Sequence, residues 1–110
     1  MDITETKHDQ YSVFKLNGRL DSNTAMGFEQ KLFDCIENGT QRLILDFEEL
    51  DYISSAGLRV ILKATKSLKS ADGKLILCEM QDYVKEVFEI SGFDSFLPIE
   101  ATLDDAVKSV

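Results

Sequence analysis

Hydrophobic positions along this chain switch repeatedly between an extended and a helical spacing. Residues 11–16 are an aromatic and β-branched run closed by Asn17 and Gly18, which predicts a strand. The weaker run 3–7 before it can pair with it as a hairpin across His8, Asp9 and Gln10. After Asp21, Ser22, Asn23 and Thr24, a cluster that favours helix starts, Phe28, Leu32, Cys35 and Ile36 recur at helical spacing until Asn38 and Gly39. Residues 43–47 form a short, nearly continuous apolar run, the pattern of a strand covered on both faces. Leu58, Ile61, Leu62, Thr65 and Leu68 then mark one face of a second helix ending near Asp72 and Gly73. Residues 74–78 predict another buried strand, so strand, helix and strand make a unit expected to be parallel. Val84, Val87 and Phe88 predict a third helix stopped at Gly92, a brief strand is expected over 97–99, and Thr102 with Asp105 opens a last helix as a capping box.

Strands alternating with helices in this order specify an α/β layered fold, with a mixed β-sheet of four to five strands and about four α-helices. At 110 residues and 44% hydrophobic composition the chain has material for one core, so residues 1–110 are read as one domain. No repeat or low-complexity tract interrupts it, and the only proline is Pro98.

Charge narrows the class of partner. The formal net charge of -8 opposes binding to a phosphate backbone or an anionic membrane, because nucleic-acid binders gain affinity by neutralising phosphates with Lys and Arg. Cys35 and Cys78 sit in apolar periodic segments without CxxC spacing and read as small buried hydrophobes in a reducing compartment. The first residues lack the basic and apolar regions of a signal peptide, and no apolar stretch approaches the ~18 residues of a spanning helix, so a cytoplasmic protein is expected.

The informative stretch is 51–59, which links the strand ending at Phe47 to the second helix. In open α/β sheets, sites are built at such carboxyl ends. Ser55 is placed at or just before the first helical turn, where free N–H groups and the helix dipole favour an anion such as phosphate. Gly57, a poor helix former, hints at close approach by another group. Local chemistry alone favours a plainer role for Ser54 or Ser55, that of a helix cap. A small serine hydrolase is the alternative in another class, but Ile53 stands where a nucleophile elbow needs glycine, and His8 is the only candidate base. Glu48, Glu49 and Asp51 lack the pattern of a calcium loop and read as a solvated loop. No P-loop, dinucleotide fingerprint or His/Cys metal spacing occurs, so no cofactor and no metal is expected.

Taken together, these residues resemble the bacterial anti-sigma-factor antagonists, whose single domain is called STAS. Gly18, Arg19, Leu20 and Asp21 look like the family's Gly-x-Leu/Ile-Asp turn, residues 43–46 like its central strand, 52–58 like its phosphorylation loop, and 84–92 like its third helix with a terminal Ser-Gly. The resemblance implies a STAS-like fold and a binding module, not an enzyme. It implies that the free protein binds an anti-sigma factor that is also a serine kinase, that phosphorylation of one serine ends the complex, and that a PP2C-type phosphatase restores it. The family's phosphorylated serine follows an Asp and precedes Ser/Thr/Ala-Gly-Leu, which maps it onto Ser55. Ser54 stands where the Asp is usual and is a second candidate. Asp21 matches an acidic residue beside that loop that assists partner contact, although a helix cap explains it as well. By position, Asp21, Ser54, Ser55, Gly57, Leu58, Arg59 and Leu62 are the expected partner-binding residues. A STAS module with an output other than a sigma factor, such as control of secretion or of a signalling enzyme, is the runner-up.

Overall fold

The N-terminal hairpin forms from the two runs expected to pair across residues 8–10. In the computed structural model, which describes residues 1–95 and 97–110, β1 (Asp2–Lys7) pairs antiparallel with β2 (Ser12–Leu20), and His8 stacks on Tyr11 at 4.5 Å in the turn. Helix α1 (Ala25–Glu37) leads to β3 (Arg42–Ile53), which lies parallel to β2. Helix α2 (Ser55–Ser70) and β4 (Lys74–Cys78) follow, with β4 parallel to β3. After α3 (Asp82–Ser91) and a 3₁₀ turn at Phe93–Ser95 come β5 (Ile99–Glu100), parallel to β4, and α4 (Leu103–Ser109). The sheet order is β1-β2-β3-β4-β5, one antiparallel pair on an otherwise parallel sheet.

Two apolar clusters explain the layers. Phe28 and Leu32 of α1, Leu58 and Ile61 of α2, and Val84 and Phe88 of α3 pack with Phe14, Leu45 and Phe47 on one face of the sheet. Val13, Ile44, Ile76 and Cys78 point to the other face and receive Ala106 of α4, flanked by Leu103 and Val110. The Thr102 hydroxyl accepts the Asp105 N–H at 3.1 Å, so α4 starts where the threonine cap placed it.

Three boundaries differ from the sequence reading, each for a physical reason. Strand β2 does not stop at Asn17 and Gly18 but runs on to Leu20, with Gly18 at φ +113°. Strand β3 continues past Phe47 to Ile53, so Glu48, Glu49 and Asp51 are strand residues and not a solvated loop. Opposite β2, β3 carries two extra residues, because Lys15 faces Asp46 while Asn17 faces Glu49, and Gly18 faces Leu50 while Arg19 faces Tyr52. Such bulges break the alternation a strand otherwise shows. At the first of them the buried Asp46 carboxylate accepts the Glu48 N–H at 3.0 Å. Strand β5 begins at Ile99 because Pro98 has no N–H to give a ladder; its carbonyl accepts the Leu77 N–H at 3.0 Å.

Candidate functional site

The long reach of β2 and β3 brings their carboxyl ends to the heads of α1 and α2. Ser54 is the single residue between β3 and α2. Its backbone is extended (φ -99°, ψ 172°), its Oγ accepts the Gly57 N–H at 3.4 Å and its carbonyl accepts the Leu58 N–H at 3.0 Å, which is the geometry of a helix N-cap. The Ser54 N–H donates to the Leu20 carbonyl at 2.9 Å and joins the end of β2 to the head of α2. Ser55 is the first residue of α2 and is exposed, and its hydroxyl has no hydrogen-bond partner among the described residues. The first-turn N–H groups around it lack intrahelical acceptors and carry the positive end of the helix dipole. The two adjacent serines thus divide two roles, one capping and one free. Ser54→Ala is accordingly expected to lower stability by about 1 kcal/mol, whereas Ser55→Ala should stay within about 0.5 kcal/mol of the parent. Urea unfolding midpoints check this, and equal losses from both changes would contradict the division.

Asp21 follows Leu20 directly and so stands beside Ser54. It is not the helix cap: Thr24 holds the N-cap position of α1, without a side-chain cap bond. The Asp21 carboxylate instead organises the turn before α1, its Oδ1 accepting the N–H groups of Asn23 at 3.0 Å and Thr24 at 3.2 Å. Thr24 Oγ1 donates to the Arg19 carbonyl and accepts the Asp21 N–H, both at 2.9 Å. The second carboxylate oxygen lies 3.9 Å from Arg19 Nε. The Arg19 guanidinium rests 4.2 Å above the Tyr52 ring, and Tyr52 stacks on Tyr83 at 6.3 Å, so β2, β3 and α3 each contribute one side chain to a row. Tyr83 is 54% exposed.

The remaining sequence candidates separate by depth. Gly57 is buried against Leu20 and Ile53, and Leu58 belongs to the core at 6% exposure. The Leu58 side chain therefore packs inward, with the core of the domain. Arg59 is exposed and Leu62 is half-buried on the outer side of the helix. His8 lies in the β1–β2 turn, and the nine residues of β2 separate that turn from Ser54. At about 3.3 Å per residue this is roughly 30 Å, so Ser55 and His8 do not form a nucleophile and base pair. Both cysteines are free and buried. Burial pushes the Cys78 thiol up to about 12, with the Asp46 and Glu79 carboxylates adding to the shift, and burial raises Cys35 as well. Among the described residues no cluster of His, Cys, Asp and Glu could hold a metal ion, and no helix is long and apolar enough to cross a membrane.

The STAS domain family model matches residues 2–106, nearly all of the chain just described. This chain is a member of the STAS family. It is 44% identical over 109 residues to BtrV of Bordetella bronchiseptica, named as an anti-sigma factor antagonist, with 99% of this chain and 94% of that one covered. An anti-sigma factor antagonist structure from Thermotoga maritima superposes with a TM-score of 0.94 at 24% identity, covering 98% of this chain and 93% of that one. The Bacillus protein SpoIIAA, solved in its phosphorylated form, superposes with a TM-score of 0.76 at 24% identity over 98% of each chain. At that identity the two structures show that the STAS fold is shared.

Within this STAS domain the row of Arg19, Tyr52 and Tyr83 escaped the sequence reading. Its members come from three elements, and no spacing along the chain announces it. Arg59, already a candidate by position, is a neighbour of Ser55 on α2, since residues four apart adjoin on a helix.

Proposed function

We propose that this protein is an anti-sigma-factor antagonist switched at Ser55. Unphosphorylated, it binds an anti-sigma factor that is also a serine kinase and so frees the sigma factor; phosphate on Ser55 ends the complex, and a PP2C-type phosphatase restores it. The observation that carries this reading is the contrast between the adjacent serines. Ser54 Oγ is engaged in capping α2, whereas Ser55 is exposed at the helix head and its Oγ has no hydrogen-bond partner among the described residues. A kinase must place one hydroxyl in line with the γ-phosphate, and a free side chain can be so placed without unwinding a turn. A phosphate there meets the positive end of the α2 dipole, so the fold tolerates it. The identity to BtrV supports the same role.

The contact surface in this reading surrounds Ser55: the Asp21 turn, the exposed Arg59, half-buried Leu62, and Met26, which is 81% exposed in the first turn of α1. The chain itself takes no cofactor; ATP enters through the kinase, and the partners are cytoplasmic proteins and not nucleic acid or membrane.

Fragment-resolved mass spectrometry after reaction with the serine kinase that copurifies from the native cell tests the assignment. Phosphate is expected on Ser55 with Ser54 unmodified. Phosphate chiefly on Ser54 would overturn it.

A further inference from the structure

Helix α2 carries four cations and no carboxylate, in a chain where acidic residues outnumber basic ones by 20 to 12. The four are Arg59, Lys63, Lys66 and Lys69, all exposed. At about 100° per residue they fall within an arc of roughly 120°, and Ser55 and Leu62 fall in the same arc. The buried Ile61, Ala64 and Leu68 take the opposite side. Measured along the axis, the stripe from Arg59 to Lys69 is roughly 15 Å long.

Stability of the isolated domain explains only part of this. Lys63 is tied down, 2.7 Å from Glu29 Oε2 with its ammonium 5.5 Å from the Phe33 ring. Lys69 sits in the last turn, where a cation suits the helix dipole. Arg59 sits in the second turn, where the dipole gives a cation nothing, and it forms no ion pair among the described residues. Lys66 forms none either.

We propose that this stripe docks an acidic face of the anti-sigma factor, with Leu62 as its apolar centre, and that phosphate on Ser55 ends the docking by drawing Arg59 onto itself. The idea rests on the reading of Ser55 given above. Side chains on a helix lean toward its N-terminus, so Arg59 reaches back over the turn that begins at Ser55. A phosphoserine adds about -1.5 to -2 charges, which cancels roughly half of the four positive charges and puts the negative charge at the head of the stripe. The partner is a protein because a polyphosphate running past the short stripe would meet a surface whose net charge is -8.

The test measures association with the copurified kinase by stopped flow, from low to physiological salt. Lys66→Glu combined with Lys69→Glu, remote from Ser55, is expected to slow association about tenfold at low salt, with the difference shrinking as salt rises. Lys108→Glu on α4 should leave the rate unchanged, and thermal melts confirm that each variant folds. Unchanged rates and salt dependence in the double variant, with phosphorylation still abolishing binding, would overturn the stripe and leave the Ser55 switch standing. Binding that survives phosphorylation would overturn both. A second arm installs phosphoserine at position 55 and follows the phosphate by phosphorus NMR. Its second ionisation should shift upward in Arg59→Gln, and coincident titrations would remove Arg59 from the switch. Tighter binding to a DNA duplex than to the kinase would overturn the protein partner.

Discussion

Ser55→Asp is expected to fold like the parent and to lose the anti-sigma factor, whereas Ser55→Ala keeps it. Ser55 is exposed and its hydroxyl has no hydrogen-bond partner among the described residues, so neither change removes a buried group. A carboxylate at the first helical position also suits the dipole, by about 0.3–1 kcal/mol. Thermal midpoints of both variants should therefore match the parent closely. Binding differs because a charge carried into a desolvated interface without a partner costs about 2–5 kcal/mol, which weakens affinity by roughly 30-fold to several thousandfold. Calorimetric titration against the copurified kinase reads this directly, and similar affinities for the two variants would refute a charge switch at this position.

Gly57→Ala is expected to destabilise the domain even though it places a better helix former in the first turn of α2. A Cβ built at Gly57 falls 2.6 Å from Leu20 Cγ, 2.9 Å from Leu20 Cδ2 and 3.1 Å from Ile53 Cγ1. Leu20 and Ile53 are themselves buried at 0% and 2% exposure, so they have no solvent to retreat into. Overpacking of this kind costs about 1–3 kcal/mol, against about 1 kcal/mol that alanine returns in helix propensity. The net loss should be up to about 2 kcal/mol, read from urea unfolding. Combining it with Leu20→Ala tests the cause: if the clash is responsible, the double variant loses less than the sum of the two single losses. A Gly57→Ala protein more stable than the parent would show that α2 can lift off the end of β2 at no cost. Because the Ser54 N–H binds the Leu20 carbonyl, the same displacement would move Ser55, so partner binding should weaken in parallel with stability.

Much of this protein could be read from its chain. The period of Phe28, Leu32 and Cys35, the apolar runs that became the cores of β3 and β4, and the cap at Thr102 are local signals, and the elements formed there because local propensity and burial agree. The serine pair and Gly57 stood out at a strand-to-helix turn, whereas the Asp21 turn became a candidate through the resemblance to the STAS family. The second half of β3 was hidden, since its two bulges remove the alternation by which a strand is recognised, and the pairing that stabilises it lies in β2. Tertiary structure alone decided that Leu58 is core while Arg59 next to it is surface, and that Ser54 is the cap while Ser55 is free. It also decided that Arg19, Tyr52 and Tyr83 meet beside Asp21, and that His8 stands at the far end of β2 from Ser54. Sequence encodes the period of each element, but which ends meet follows from strand order and register. Those are fixed by burying both faces of one sheet at once, a condition that no single segment contains.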